Sequence, residues 1–256
     1  MSDHPPHERA HHSDGVMDRE YAAGRRRAPH LKFRYRVRAQ LAVDAFRGRV
    51  AKHSKHAVLE LGAADGLTLL AIRELLGAQD GDQSASEFVG IELSEELLAA
   101  VPSLPSDTRI IKGDVMRLPP EIPDGHFDLC TALAVLEHLP DPTRALREAH
   151  RALRPGGVLV ATAPNPLWDD IAGKLGMVAA EHHEQELDEK ALRRIVADAG
   201  FTDIEFRRFM WAPVGVLPYL KLPINPARSL EIDKWVSRVR LLDFGFVNQC
   251  IIATKP

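Results

Sequence analysis

AVLELGAADG, residues 57–66, decides how the rest of the chain is read. Val58, Leu59 and Leu61 make a short apolar run of strand length, closed by Gly62. Beyond Gly66, Leu67, Leu70, Ala71 and Leu75 recur at helical spacing. A strand that turns through glycines into a helix is the opening of a parallel βαβ unit. The pattern then repeats outward. EFVGIEL (87–93) is a second strand, and Ser94 stands as N-cap for EELLAAV. RIIKGD (109–114) and HFDLCTAL (126–133) are the third and fourth strands. Asp141 and Pro142 are an N-cap and first-turn pair for a helix carrying Ala145, Leu146, Ala149 and Leu153, and Arg154-Pro155-Gly156-Gly157 reads as its stop. GVLVATAP (157–164) is the fifth strand. Asp188 caps a helix with Ala191, Leu192, Ile195, Val196 and Ala199, ended by Gly200. FTDIEFRRF (201–209) and FVNQCIIAT (246–254) are late strands. This alternation predicts an α/β fold, a doubly wound, mostly parallel sheet with helices on both faces.

Composition narrows the class. The chain has 256 residues, 45% hydrophobic and 27% charged, which is ordinary for a globular protein. A formal net charge of −3 supplies no basic field, so nucleic acid is not an expected partner. No apolar run approaches spanning length. The polar start, MSDHPPHERAHHSDG, carries no apolar core and predicts no secretory signal. Cys130 and Cys250 each sit in an apolar run and read as buried thiols, which suits a reducing cytoplasmic location. Residues 1–30 read as a disordered polar tail in which His4, His7, His11 and His12 are solvated, 31–56 as an N-terminal helical or lid segment, and 57–256 as the main domain with an insertion at 209–242. Within the second segment, Leu31, Phe33, Tyr35 and Val37 alternate as a strand would, and Leu41, Ala42, Ala45 and Phe46 continue as a helical stripe.

Ligands of open parallel sheets bind outside the carboxyl ends of the strands. Three such ends carry carboxylates. The first has Glu60, then Gly62-Ala63-Ala64-Asp65-Gly66, where glycines allow a ligand close to backbone at a helix start. The second has Glu92, placed to accept ribose hydroxyls. The third has Asp114-Val115, a carboxylate for an adenine amino group and a side chain to pack on the ring. A nicotinamide dehydrogenase needs G-x-G-x-x-G, and here only Gly62 fits, with Ala64 and Leu67 at the other two positions. Glu60 and Asp65 would also face the pyrophosphate with like charge. A ligand bearing a sulfonium and an ammonium, such as S-adenosylmethionine, prefers those carboxylates.

VLELGAADG, VGIELSEELL, IIKGDVMRLP, HFDLCTALAVLEHLPDP and LRPGGVLVATAPNP, in that order, resemble the class I S-adenosylmethionine-dependent methyltransferases. The resemblance covers about residues 57–205. It implies a Rossmann-like sheet of seven strands whose last, FVNQCIIATKP, runs antiparallel, and S-adenosylmethionine as cofactor. By that resemblance Gly62, Ala63 and Gly66 pass near the methionine part, with Glu60 and Asp65 beside them. Glu92 and Leu93 lie at the ribose, Asp114 and Val115 frame the adenine, and Leu133 offers backbone to the ammonium. Ala64 departs from the family's central glycine in the first motif.

The methyl acceptor is less legible. His138 in LEHLPDP stands beyond the fourth strand, as a base or as a packed residue that holds the helix start, with Glu137 beside it. His182 and His183 follow the fifth strand and could line an acceptor pocket, as could Tyr35. Glu181 and Glu184 lie near the two histidines, but no third, well-spaced ligand appears, so no metal site is expected. The absence of an Asn/Asp-Pro-Pro-aromatic tetrapeptide after the fourth strand argues against exocyclic base amines. A small-molecule or lipid- or glycan-linked acceptor remains. The alternative is a non-catalytic scaffold that keeps the fold. FMWAPVGVLPYLKLPINPA (209–227) is apolar and interrupted by prolines; its part at 209–224 could be a plain connection covering the core, or could cover the acceptor pocket, form a homodimer interface or make peripheral membrane contact. ARSLEIDKWVSRVRLL (227–242) reads as an amphipathic helix with Leu230, Trp235, Val236, Val239 and Leu242 on or near one face.

Overall fold

The computed structural model describes residues 19–50, 56–80, 86–168 and 186–256. One seven-stranded sheet organises them, formed by β1 (Ala57–Leu61), β2 (Glu87–Glu92), β3 (Thr108–Lys112), β4 (Phe127–Leu133), β5 (Leu153–Pro164), β6 (Thr202–Trp211) and β7 (Phe246–Thr254). The spatial order is β3-β2-β1-β4-β5-β7-β6, and only β7 runs antiparallel to its neighbours. The strand order reverses between β1 and β4, so the crevice at their carboxyl ends is where such a sheet takes a ligand.

Helices cover both faces. On one, α5 (Pro142–Ala152) and α6 (Glu189–Asp198) set Ala145, Leu146, Ala149, Leu192, Ile195 and Val196 against Leu59, Leu159 and Ile251. Both helices begin as the sequence predicts, with the Asp141 and Asp188 carboxylates accepting from Arg144 N and Ala191 N. On the other face, α2 (Pro29–Arg47) and α3 (Leu67–Asp80) cover Val58, Leu129, Val158 and Ile252.

Several local expectations change. The stretch Leu31–Val37 is helix. Pro29 opens it at the first turn, and Phe33, Val37 and Leu41, four residues apart, are all buried against the sheet. Thus α2 is a core layer. Part of the stretch read as tail is also ordered: α1 spans Arg19–Arg27. The stop at Arg154–Gly157 is instead the start of β5, where the register against β4 shifts between the pairs Phe127–Leu153 and Leu129–Val158. That bulge lets a glycine pair pass without ending the strand. Cys130 and Cys250 are free and buried, and burial pushes the Cys250 thiol up to about 12.

The chain from β6 to β7 contains α7 (Ala212–Val216), α8 (Pro226–Val236) and a 3₁₀ turn at Arg240–Gly245. The prolines divide it, as expected. Its amphipathic face differs from the sequence reading. Ser229, Leu230, Asp233 and Val236 face inward, whereas Trp235 is 66% exposed and Val239 is exposed as well. The reason is polar: Asp233 turns in to accept from the backbone N–H groups of Met210 (2.7 Å) and Trp211 (3.0 Å), where β6 ends, and this fixes the helix's rotation. Burial raises the Asp233 carboxyl to about 6.

Candidate functional site

The turn from β1 into α3 is built from left-handed backbone. Gly62 and Gly66 hold φ of +68° and +76°, and Ala64 holds +49° in the region that glycine usually takes. A Cβ on Gly62 would meet Val135 Cγ2 at 2.6 Å. The segment after β4 therefore lies directly on the glycine turn. That segment leaves β4 at Leu133, its last residue, and runs through Ala134 (φ +58°) and Val135 into the 3₁₀ turn Leu136–His138. His138 is half-buried there, and Glu137 is buried.

Glu92, at the end of β2, holds the same turn from the side. Its two carboxylate oxygens accept from Ala64 N and Ser94 N, both at 2.8 Å. It is buried, and each oxygen keeps a further lone pair. Ser94 in turn caps the short helix α4 (Glu95–Leu98), as its sequence position predicts. The outward Leu93 is exposed. Asp114 uses Oδ1 to accept from Met116 N at 2.8 Å and remains half-buried, with Val115 buried beside it.

The pole of this crevice is strongly acidic. Glu60 is fully buried beside Thr131, its register partner in β4, and its Oε2 has no hydrogen-bond partner among the described residues. Burial pushes its carboxyl up to about 8, with Asp65 and Glu92 adding to the rise and Arg25 opposing it. Asp65 is also fully buried. It pairs with Arg25 Nη1 at 3.1 Å and more distantly with Arg26 Nε at 3.8 Å. Arg25 is buried too; it donates to Thr68 Oγ1 at 2.6 Å and lies 5.4 Å from the centre of the Tyr35 ring. Helix α1 thus lies across the first strand end and lends a guanidinium to a cluster of three carboxylates. Tyr35 enters the site through this contact.

The structure brings together Glu60, Gly62, Ala63, Asp65, Gly66 and Glu92, and places Leu133 on the segment that packs over them. Asp114 and Val115 follow β3, two strands from β1, at the same edge of the sheet. His182 and His183 lie outside the described residues. Arg25 and Thr68 escaped the sequence reading as site residues. Arg25 belongs to the local run Arg25-Arg26-Arg27, but its partner Asp65 is 40 positions away and nothing local names it.

Comparison with known proteins agrees with this fold. A family model described as a methyltransferase domain matches residues 59–161. The demethylmenaquinone methyltransferase of Staphylococcus epidermidis is 30% identical over 186 residues, covering 62% of this chain and 73% of that protein. The chain belongs to the S-adenosylmethionine-dependent methyltransferases. The ubiquinone biosynthesis O-methyltransferase of Xanthomonas euvesicatoria is 28% identical over 206 residues, covering 78% of this chain and 76% of that one. Other curated relatives are longer, and the match spans 42% of their length. The fold is shared with a methyltransferase of Archaeoglobus fulgidus at a TM-score of 0.61 and 19% identity, over 93% of this chain and all of that one.

The residues fit the family's methyl donor. An unpartnered buried carboxyl oxygen on Glu60, which an adjacent cation would ionise, together with the buried carboxyls of Asp65 and Glu92, suits a cationic amino-acid ligand better than a phosphate.

Proposed function

We propose that this chain transfers the methyl group of S-adenosylmethionine to a small, largely apolar acceptor of the quinol type, free or carrying a lipid tail. The acidic cluster of Glu60, Asp65 and Glu92 at the ends of β1 and β2 carries the donor half of this reading. The acceptor half is supported by two relatives named for methylation in quinone biosynthesis.

In this reading Glu60 and Asp65 hold the positive methionine end. The open lone pairs of Glu92 take the ribose hydroxyls, while Asp114 Oδ2 takes the adenine amino group above Val115. The backbone of Leu133 takes the ammonium. The bound donor supplies an already activated methyl group. The chain therefore has to orient the acceptor oxygen or carbon, exclude water and remove one proton where the nucleophile is a hydroxyl. His138, on the segment that covers the glycine turn, is the base in this scheme, and Glu137 is its neighbour. A general base of this kind contributes about 10²–10⁴-fold.

Calorimetry with S-adenosylhomocysteine tests the donor half. Binding of that ligand and no binding of NAD is expected, and the reverse would overturn the reading. Label transfer from methyl-labelled S-adenosylmethionine to a demethylated short-chain quinol tests the acceptor half. No transfer by a protein that binds the cofactor would leave the acceptor class wrong.

A further inference from the structure

The connection between β6 and β7 carries an exposed apolar ridge that the transfer chemistry does not use. Trp211 pairs with Phe246 where β6 ends and β7 begins, near the level at which Pro164 ends β5. The connection therefore leaves and rejoins the sheet at the edge that holds the acidic cluster. Along α8, Ile232 and Trp235 are three residues apart and share a face, and Val239 follows one turn later. In the 3₁₀ turn, Leu241 and Phe244 are again three apart, and such positions eclipse. Trp235 is 66% exposed, Leu241 85% and Phe244 65%. Five large apolar side chains exposed within thirteen residues are more than the scattered apolar residues of an ordinary surface.

The ridge is set in positive charge. Positions 221–244 hold five basic residues, Lys221, Arg228, Lys234, Arg238 and Arg240, against Glu231, Asp233 and Asp243, the last paired with Arg208 of β6, in a chain whose net charge is −3. Asp233 faces inward on β6, and Glu231 is taken by Lys234. Arg228, Arg238 and Arg240 are exposed and make no ion pair among the described residues. The same connection bears exposed Tyr219, Leu220 and Leu222 around Lys221, and Tyr219 stacks on His30 at 4.2 Å. Exposed tryptophan, aliphatic and phenyl groups interleaved with unpaired arginines are the pattern of a surface that lies in a headgroup layer.

We propose that this ridge docks the protein on an anionic lipid surface, with Trp235, Leu241 and Phe244 entering the interface and Arg228, Arg238 and Arg240 meeting lipid phosphates. The sign of the charge chooses this occupant over a second copy of the chain. A two-fold contact through the same patch would bring this net-positive surface against a second copy of itself. No described helix is long and apolar enough to cross a membrane, so the contact is peripheral. The proposal deepens the reading of a lipid-tailed acceptor, and rests on it only for what the docking serves.

Co-sedimentation of the full chain with vesicles tests it. One set is phosphatidylcholine alone, and the other has a quarter of its lipid replaced by phosphatidylglycerol. Binding to the anionic set, weakened at high salt, is expected. The triple variant Trp235→Ser/Leu241→Ser/Phe244→Ser should lower the bound-to-free ratio at least tenfold. Arg228→Glu/Arg238→Glu/Arg240→Glu should erase the preference for anionic vesicles. Each variant is checked by thermal melting and by S-adenosylhomocysteine calorimetry. Wild-type protein that ignores both vesicle sets overturns the docking, as does a folded triple variant that still binds, or a concentration-dependent dimer that the triple variant abolishes. Vesicle binding without S-adenosylhomocysteine binding would overturn the methyltransferase reading and leave the docking standing.

Discussion

Glu60 offers the sharpest test of the acidic cluster. Its carboxyl is raised to about 8 by burial, so without ligand it is about nine-tenths protonated at pH 7. A cation seated beside it favours the ionised form. Binding then expels a proton in the window between the lower pKa of the bound carboxyl and about pH 8, and there affinity rises with pH by up to tenfold per unit. Between pH 6.5 and 8.5 the gain is about twentyfold, or roughly 2 kcal/mol, if the bound carboxyl titrates below pH 6.5. Glu60→Gln keeps the shape and removes the titration. The ligand's own amine titrates equally with both proteins, so the ratio of variant to wild-type Kd isolates Glu60. That ratio, measured by calorimetry with S-adenosylmethionine, should climb across this window. Repeating the titration at pH 7 in buffers of different ionisation enthalpy should show nearly one more proton released by the wild type. The cofactor-free protein gives a second sign. A folded carboxyl raised above its unfolded value near 4.5 stabilises most below that pH, and the contribution disappears as pH rises through about 8. Glu60→Gln should flatten that decline in urea midpoints. A flat Kd ratio with equal proton release would refute the placement of Glu60 at the donor's cationic end.

Other perturbations separate the parts of the site. Arg25→Gln removes a cation from the acidic cluster, so S-adenosylmethionine should gain over the neutral sulfur of S-adenosylhomocysteine by several-fold, about 1 kcal/mol; an unchanged ratio would place Arg25 away from the sulfonium. Gly62→Val puts a branched side chain at φ +68° and a Cβ 2.6 Å from Val135 Cγ2, so it should lose cofactor affinity and lower the melting temperature together, and unchanged calorimetry would contradict the packing of the segment after β4 on this turn. His138→Ala should lower kcat about 10²-fold or more with cofactor Kd nearly unchanged; full turnover in the variant assigns His138 to packing.

The alternation of apolar runs with helical stripes was enough to name a mostly parallel sheet with helices on both faces, because each strand buried on both faces reads as a continuous apolar run, whereas the antiparallel direction of β7 came from the family resemblance. The carboxylates at the strand ends were legible for the same reason: a charged residue at the close of an apolar run stands out. The local sequence could not rank what α2 does. Leu31–Val37 alternates like a strand, and only the sheet face beneath it, which takes Phe33, Val37 and Leu41, makes the helix the buried solution. The rotation of α8 was hidden as well, since an aspartate turned inward to two backbone N–H groups overrides the apolar stripe and sends Trp235 outward. Arg25 meets Asp65 only when α1 folds over the end of β1. Periodicity reports which side of an element is apolar. Where a lone charge finds its partner is a matter of distance in space, and in this chain the tertiary fold alone set the guanidinium among the three carboxylates.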